Sequence, residues 1–155
     1  ISWKSAHRLE LLGIATPSPL AMRENRTGPL RREAYLATES AVGDNLHAWL
    51  LKQSDSQVPA WLGHEVSRLF DILWCSKVSH GDMKATNLIV TGEQLQVIDL
   101  DAVRWHRFEQ TFVRAYRRDL QRFMDNWQGK TWQHFEQLLT PFAQRVGVTF
   151  INKKV

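Results

Sequence analysis

The fold of this chain is decided by the stretch Ser79-His80-Gly81-Asp82-Met83-Lys84-Ala85-Thr86-Asn87-Leu88-Ile89-Val90. It reads His-x-Asp-x-Lys-x-x-Asn and continues into an apolar run typical of a short strand. After a Gly-Glu turn, a second apolar run leads to Val97-Ile98-Asp99-Leu100-Asp101. Each polar residue alone would more often be a cap, a turn or a surface residue, but their order and spacing together form a specific signal. His80 is interpreted as an internal hydrogen-bonding post of the loop rather than as a catalyst.

The spacing suits phosphoryl transfer, which demands positioning and positive charge more than covalent catalysis. Asp82 is placed to orient an acceptor hydroxyl and take its proton, and Lys84 can direct its ammonium group at the phosphoryl group. The two apolar runs predict an antiparallel hairpin, so Asn87 and Asp99 at its two ends can reach one Mg²⁺. Asp101 either binds metal as well or anchors the following loop.

The composition is that of one globular domain without a disulfide. The chain has 155 residues, 43% apolar and 23% charged, and its one cysteine, Cys75, is expected to be buried. No run approaches the roughly 18 apolar residues of a spanning helix. A net charge of +4 favours acidic partners such as nucleotides, phosphosugars or an anionic membrane surface. No zinc-finger, basic-zipper or RNA-recognition pattern is present, so we expect no nucleic-acid partner.

Hydrophobic periodicity predicts a helix near the start, two strands around a turn, and a mostly helical remainder. The predicted elements are a helix at 3–12, strands at 20–22 and 34–39 around a turn at 25–29, helices at 45–51 and 59–78, strands at 87–91 and 94–98, and helices at 113–127 and 132–139. Pro141 is expected to interrupt the last helix.

These features resemble the protein-kinase-like superfamily. Within it, the sequence His-Gly-Asp in place of His-Arg-Asp resembles the bacterial branches that phosphorylate small molecules. The segments Trp3–Pro19, Tyr35–Glu39 and Ile98–Asp101 resemble the lipopolysaccharide core heptose and Kdo kinase family. The resemblance extends over about residues 2–125. It implies an α+β, protein-kinase-like fold with a partial, β-rich N-lobe at 1–39, a hinge at 40–44 and a mostly helical C-lobe at 45–155.

The resemblance also implies a role for each residue of the motif. The catalytic residues would be Asp82 and Lys84, with Lys84 also contacting the phosphates, and the metal ligands would be Asn87 and Asp99. Backbone groups around Glu39 and Ala41, in the hinge, would meet the adenine of the nucleotide. The implied cofactors are ATP and Mg²⁺, and the implied acceptor is a sugar hydroxyl of the lipopolysaccharide inner core.

The sequence departs from the family pattern at its start. No glycine-rich phosphate loop and no Val-Ala-x-Lys strand precede the first helix, and Glu10 lies too late in that helix to pair with an ATP-binding lysine. Ile1 opens the chain without a methionine. We therefore expect a fragment of a longer kinase, with a naturally truncated protein of little or no turnover as the alternative.

Two other functions stay open at this point. An aminoglycoside- or choline-type small-molecule kinase shares the His-Gly-Asp loop, but its cationic substrate needs an acidic pocket and this C-terminal half is basic. A pseudokinase-like binding module would use the C-lobe as a scaffold without turnover.

A basic, aromatic region follows the motif and consists of Arg104, Trp105, His106, Arg107, Arg114, Arg117, Arg118 and Arg122. One interpretation is a docking surface for an anionic glycolipid, because Arg pairs with phosphate and Trp favours the membrane interface. The other is an ordinary solvated helix face, with Trp105 and Trp127 in the core. The first interpretation predicts a cytoplasmic protein peripheral to the inner face of the inner membrane. The oligomeric state is not predicted.

Overall fold

An N-terminal helix and a long hairpin precede a mostly helical remainder. The computed structural model describes residues 2–28, 30–53 and 58–152. Its elements are α1 (Ser2–Leu11), β1 (Pro19–Thr27), β2 (Leu30–Thr38), β3 (Asp44–Asn45), α2 (Leu46–Leu51), α3 (Ala60–Cys75), β4 (Val78–Ser79), β5 (Leu88–Thr91), β6 (Gln94–Val97), β7 (Arg104–Trp105), α4 (Glu109–Met124) and α5 (Gly129–Arg145). Short 3₁₀ turns, Ala85–Asn87 and Leu100–Ala102, flank the β5–β6 hairpin.

The hairpin of β1 and β2 is longer than the sequence predicted. Antiparallel pairing runs from Pro19 opposite Thr38 to Thr27 opposite Leu30, so residues assigned to the turn belong to the strands. Leu20 and Tyr35 are 61% and 59% exposed, and a sheet with both faces near solvent shows little of the alternation that marks a strand in a sequence. Pro29, also predicted in the turn, lies outside the described residues.

The core is built by α3, α4 and α5. The apolar stripe predicted on α3 is buried, with Leu62, Val66 and Phe70 fully enclosed. Phe70 packs edge-on against Tyr116 and Phe123 of α4, an arrangement that favours aromatic pairs. The helical framework therefore forms as the periodicity indicated, and it provides the floor on which the loop of residues 80–87 rests.

Helix α3 ends earlier than predicted. It stops at Cys75, and Lys77 takes a left-handed φ of 50° that redirects the chain into β4. Strand β4 pairs with β7, placing Ser79 opposite Arg104. Cys75 was expected to be buried and is instead exposed, because it lies one turn after the exposed Asp71 on the outer face of α3.

Helix α5 continues through Pro141 to Arg145, so the predicted interruption was wrong. A proline inside a helix removes one hydrogen bond to the carbonyl four residues earlier. Here both Pro141 and Gln137, which carries that carbonyl, are exposed, so water can satisfy the freed group. Burial of Leu139 and Phe142 on either side of the proline keeps the helix against the core.

Two small sheets complete the fold. Strands β3, β5 and β6 form one sheet in that order, with Asp44 opposite Val90 and Leu88 opposite Val97. The other is the β4–β7 pair. Within the described part of the chain, no helix combines the length and apolar character needed to cross a bilayer.

Candidate active site

The loop between β4 and β5 is held from below by Asp119 of α4. The carboxylate of Asp119 accepts hydrogen bonds from the backbone N–H groups of His80, at 2.7 Å, and Gly81, at 2.9 Å. Asp119 is 1% exposed, and burial raises its pKa to about 6 even though both hydrogen bonds favour the ionised form. Sequence reasoning missed this residue. Its signal was one acidic residue among the buried apolar positions of α4.

His80 fixes the loop from within, as the sequence predicted. Its ring is 2% exposed, with Nε2 3.0 Å from the carbonyl oxygen of Ile98. Its Nδ1 accepts a hydrogen bond from the backbone N–H of Asp82 at 3.3 Å. Desolvation lowers the pKa of His80, so the neutral ring with a proton on Nε2 satisfies both contacts. His80 thereby ties the start of the motif to the strand that leads to Asp99.

Asp82 carries an ion pair on each carboxylate oxygen. Nζ of Lys84 lies 2.7 Å from Oδ2, and Nε of Arg122 lies 2.9 Å from Oδ1. The hydrogen bond from Lys84, followed by that from Arg122, lowers the pKa of Asp82. The carboxylate is therefore ionised at neutral pH, the state that orients a hydroxyl by accepting its hydrogen bond.

Asn87 brings the two predicted carboxylates together. Its Nδ2 lies 3.0 Å from the carbonyl oxygen of Asp82, 3.3 Å from Oδ2 of Asp82 and 3.5 Å from Oδ2 of Asp99. Strand β6 ends at Val97, one residue before the predicted end, and Asp99 adopts a left-handed φ of 59°. This turn directs the chain of Asp99 back towards Asn87. The predicted base, Asp82, thus meets the two predicted metal ligands, Asn87 and Asp99, around one amide group.

The donor types fit Mg²⁺. No group of three or more His, Cys, Asp or Glu side chains within residues 2–28, 30–53 and 58–152 could hold a metal ion. The cluster instead combines the carboxylates of Asp82 and Asp99 with the amide of Asn87, whose Nδ2 faces both, so its Oδ1 would bind a cation beside them once the amide group turns over. Mg²⁺ prefers hard oxygen ligands and commonly takes only one or two carboxylates, with phosphates and water completing its shell.

A cavity of about 820 Å³ opens beside Asp99. Its walls include residues from the hairpin, from the predicted hinge and from the turn after β6. Glu39 and Ala41 line it together with Asp99 and Asp101, and the volume is typical of small-molecule sites. Lys84, predicted to contact the nucleotide, is not part of this lining among the described residues, and its ammonium group is paired with Asp82.

Arg122 is the second site residue that sequence reasoning missed. Both interpretations of the basic region placed it on an outer surface, where it does lie, but neither predicted the contact of its guanidinium group with Asp82. The signal was positional, because Arg122 lies one helical turn after Asp119 and residues three apart share a helix face.

The rest of the basic, aromatic region divides into inner and outer residues. Trp127 is buried, as the core interpretation predicted. Trp105 is half-buried under Arg8 of α1, whose guanidinium carbon lies 4.2 Å from the ring centre. His106 contacts the hydroxyl of Ser79 at 2.8 Å, and Arg117 donates to the carbonyl of Val146. These four residues serve the fold.

Comparisons with known proteins identify the fold and the family of the chain. The solved structure of WaaP in complex with acyl carrier protein matches with a TM-score of 0.68 and 18% identity, covering 92% of this chain and 65% of that one. The match confirms the α+β, protein-kinase-like fold, and the chain spans about 65% of the length of that relative. No curated protein matches the sequence significantly. The model of the lipopolysaccharide kinase (Kdo/WaaP) family matches residues 2–139, and the chain therefore belongs to that family.

Proposed function

We propose that this chain carries the phosphoryl-transfer site of an ATP- and Mg²⁺-dependent kinase that phosphorylates a sugar hydroxyl of the lipopolysaccharide inner core. The observation that carries the proposal is the meeting of Asp82, Asn87 and Asp99 around one amide, beside a cavity that Asp99 also lines. Family membership supports kinase activity. Because the chain spans about 65% of its solved relative, the proposal concerns the whole protein.

Asn87 and Asp99 would hold Mg²⁺ through their side-chain oxygens. When bound, the ion would offset the negative charge of the phosphate oxygens. The N–H of Ile98 donates a hydrogen bond to the carbonyl of Asn87 at 3.0 Å. Because Ile98 directly precedes Asp99, this bond keeps Asp99 close to the 3₁₀ turn that contains Asn87. The chain thus sets the spacing of these two ligands before any cation arrives.

Asp82 would accept the hydrogen bond of the acceptor hydroxyl and take its proton as transfer proceeds. Its backbone is fixed by His80 at the N–H and by Asn87 at the carbonyl. Its lowered pKa makes it a weak base, so orientation of the hydroxyl is its larger contribution. Lys84 would add positive charge at the phosphoryl group, and its 2.7 Å contact with Asp82 places that charge next to the acceptor.

The cavity beside the hinge would bind the nucleotide. Its lining mixes apolar side chains such as Met22 and Leu36 with the segment that contains Glu39 and Ala41. Apolar walls with a few polar groups suit a flat base attached to a charged tail. Asp99, at one edge of the cavity, would lie at the phosphate end.

The test is transfer from ATP to a deacylated inner-core oligosaccharide in the presence of Mg²⁺. We expect phosphorylated oligosaccharide, together with a rise in melting temperature on addition of ATP and Mg²⁺. A thermal shift without transfer would favour the binding-module alternative. If ATP and Mg²⁺ produced no thermal shift and no phosphate were transferred, the proposal would be contradicted altogether.

We also propose that the protein is cytoplasmic and contacts the anionic inner face of the inner membrane through Arg104, Arg107 and Phe108. All three are exposed, and Phe108 is 65% exposed, which suits a basic surface carrying an apolar anchor. Cosedimentation should be stronger with phosphatidylglycerol vesicles than with phosphatidylcholine vesicles and should weaken in salt. Equal binding to both would contradict this location.

A further inference from the structure

The contact of Arg122 with Asp82 leaves most of the guanidinium group available. Only Nε of Arg122 donates to Asp82 among the contacts described for residues 2–28, 30–53 and 58–152. The Arg122 side chain is 57% exposed, against 24% for Asp82. A guanidinium group has five N–H donors, so its terminal N–H groups face solvent next to the proposed catalytic carboxylate.

The backbone around Arg122 is held by contacts on either side of it, from Asp119 of α4 and from Asn126 just after the helix. Asp119, one turn earlier, is fixed to the catalytic loop by two backbone hydrogen bonds. Asn126, one turn later, donates to the carbonyl of Arg122 at 2.7 Å and to that of Phe123 at 3.0 Å. The end of α4 is thereby held in register with Asp82. These contacts hold the backbone of Arg122, and the 2.9 Å contact of its Nε with Asp82 places the 57% exposed side chain beside the catalytic carboxylate.

A groove of about 640 Å³ begins where Asn126 lies. Its walls are α2, the connection between α4 and α5 and the start of α5, and they include His47, Leu50, Trp127 and Lys130. Helix α2 also packs against the 3₁₀ turn that carries Asn87. Helix α2 therefore connects the groove to the catalytic loop, and the groove combines aromatic, amide and cationic groups.

We propose that Arg122 binds an anionic group of the acceptor, a phosphate or a carboxylate next to the hydroxyl that is phosphorylated, and thereby selects acidic sugars. The inference rests on the proposed function and names the acceptor class of the same site. Arginine matches both anions because its planar fork donates two parallel hydrogen bonds to two oxygens.

On acceptor binding, Arg122 would exchange its present partner, the carboxylate of Asp82, for the anionic group of the acceptor. In the structure without acceptor, Arg122 occupies Oδ1 of Asp82, an oxygen that the acceptor hydroxyl would use. An acceptor anion that draws the guanidinium group to itself frees Oδ1 for the hydroxyl. A neutral sugar has no anionic group for Arg122, so its hydroxyl must compete with Arg122 for Oδ1 of Asp82.

The experiment measures binding of a deacylated inner-core oligosaccharide by titration calorimetry in three forms: intact, dephosphorylated, and with its carboxylates reduced to alcohols. We expect the wild-type protein to bind the intact form at least about tenfold more tightly than one neutralised form, as expected for a charge-assisted bidentate pair. The form that loses affinity shows whether phosphate or carboxylate is recognised. Arg122→Gln should bind all three forms alike, and Arg122→Lys should retain part of the preference.

The matched control is Arg114→Gln, which removes the same charge from an exposed position of α4. It should bind like wild type, and melting temperatures of all variants should agree because both arginines are exposed. A wild-type protein that binds no form, or all forms equally, overturns the inference, as does Arg122→Gln with its preference intact. Transfer of phosphate from ATP is measured separately. Charge-dependent binding without transfer contradicts only the proposed function. Transfer with an acceptor preference that does not depend on Arg122 contradicts only this inference.

Discussion

The catalytic loop, residues 80–87, and the β1–β2 hairpin are stabilised in opposite ways. The loop is held by side chains from far along the chain, and its residues His80 and Asn87 are only 2% and 5% exposed. The hairpin forms a sheet of two strands whose described side chains are largely exposed. Since an isolated hairpin is only marginally stable in water, we expect the loop to tolerate little change and the hairpin to tolerate much.

The largest expected effect is the loss of transfer in Asp82→Ala. Removing the carboxylate that orients the hydroxyl should reduce kcat by about 10³-fold, within the range for general bases. Nucleotide affinity should stay nearly unchanged, because Asp82 does not line the cavity among the described residues. Isotope transfer and calorimetry with ATP and Mg²⁺ measure the two separately. An equal loss of both would assign Asp82 a structural role.

A pair of glycine substitutions compares the two regions directly. Gly81 has a φ of +86°, and an added Cβ would lie 2.8 Å from both the Cβ and the backbone oxygen of Ala102. We expect Gly81→Ala to lower the free energy of unfolding by about 3 kcal/mol and transfer by about a hundredfold, as Asp82 shifts. Urea denaturation and the transfer assay measure these effects.

Gly28, in the hairpin turn, is the control for that pair. It also has a left-handed φ, of +61°, but nothing lies within 4 Å of an added Cβ. Gly28→Ala should therefore show only the backbone cost of about 1 kcal/mol and keep its transfer rate. Equal destabilisation by the two substitutions would refute the contrast between loop and hairpin.

The next effect is a pH dependence carried by Asp119. Its pKa is raised to about 6 in the folded protein, against about 3.9 when unfolded, so the folded state binds more protons between these values. Stability from this group is present below about pH 4 and is lost as pH rises through 6, by about 2 to 3 kcal/mol. Asp119→Asn lacks this titration, so wild type should lose stability relative to the variant across that window.

Urea denaturation of both proteins at several pH values between 4 and 7 measures the difference. Asp71→Asn, which removes an exposed carboxylate from α3 and keeps Asp119, is the matched control, and its stability should depend on pH as that of wild type does. If the free energies of unfolding of wild type and Asp119→Asn differed by the same amount at every pH, burial would not control the ionisation of Asp119.

The smallest expected effect concerns α1, which contacts both the hairpin and the turn after β6. Arg8 lies over the ring of Trp105 at 4.2 Å, and a cation–π contact of this kind contributes about 0.5 to 1 kcal/mol. Arg8→Ala should lower stability by that amount in thermal denaturation, while Lys4→Ala, at an exposed position of the same helix, should not. Equal effects would indicate lost helix charge rather than the ring contact.

The motif and the framework could be predicted from sequence because both depend on short-range patterns. Asp82, Asn87 and Asp99 are joined by one tight hairpin, so their order along the chain nearly determines their meeting. The buried stripe of α3 likewise follows from its period. Their roles in binding and catalysis stay predictions, as do the domain boundaries.

The remaining features could not be predicted because each depends on what surrounds a residue. Pro141 is tolerated because Gln137, whose carbonyl loses its helical partner, is an exposed residue, and Cys75 is exposed because of the face of α3 on which it lies. No local pattern distinguishes an exposed helix face from a buried one with certainty when the helix carries apolar residues on several sides.

By itself, the sequence determined which groups can perform the chemistry, since the motif residues and their hairpin are contiguous in the chain. Only the tertiary structure decided which side chains hold the motif in place and which charge pairs with its carboxylate. Asp119 and Arg122 are 37 and 40 residues from Asp82, and only the packing of α4 beneath the loop brings their charges to it. Charge interactions depend on distance in space, and that distance is fixed by the fold rather than by the order of residues.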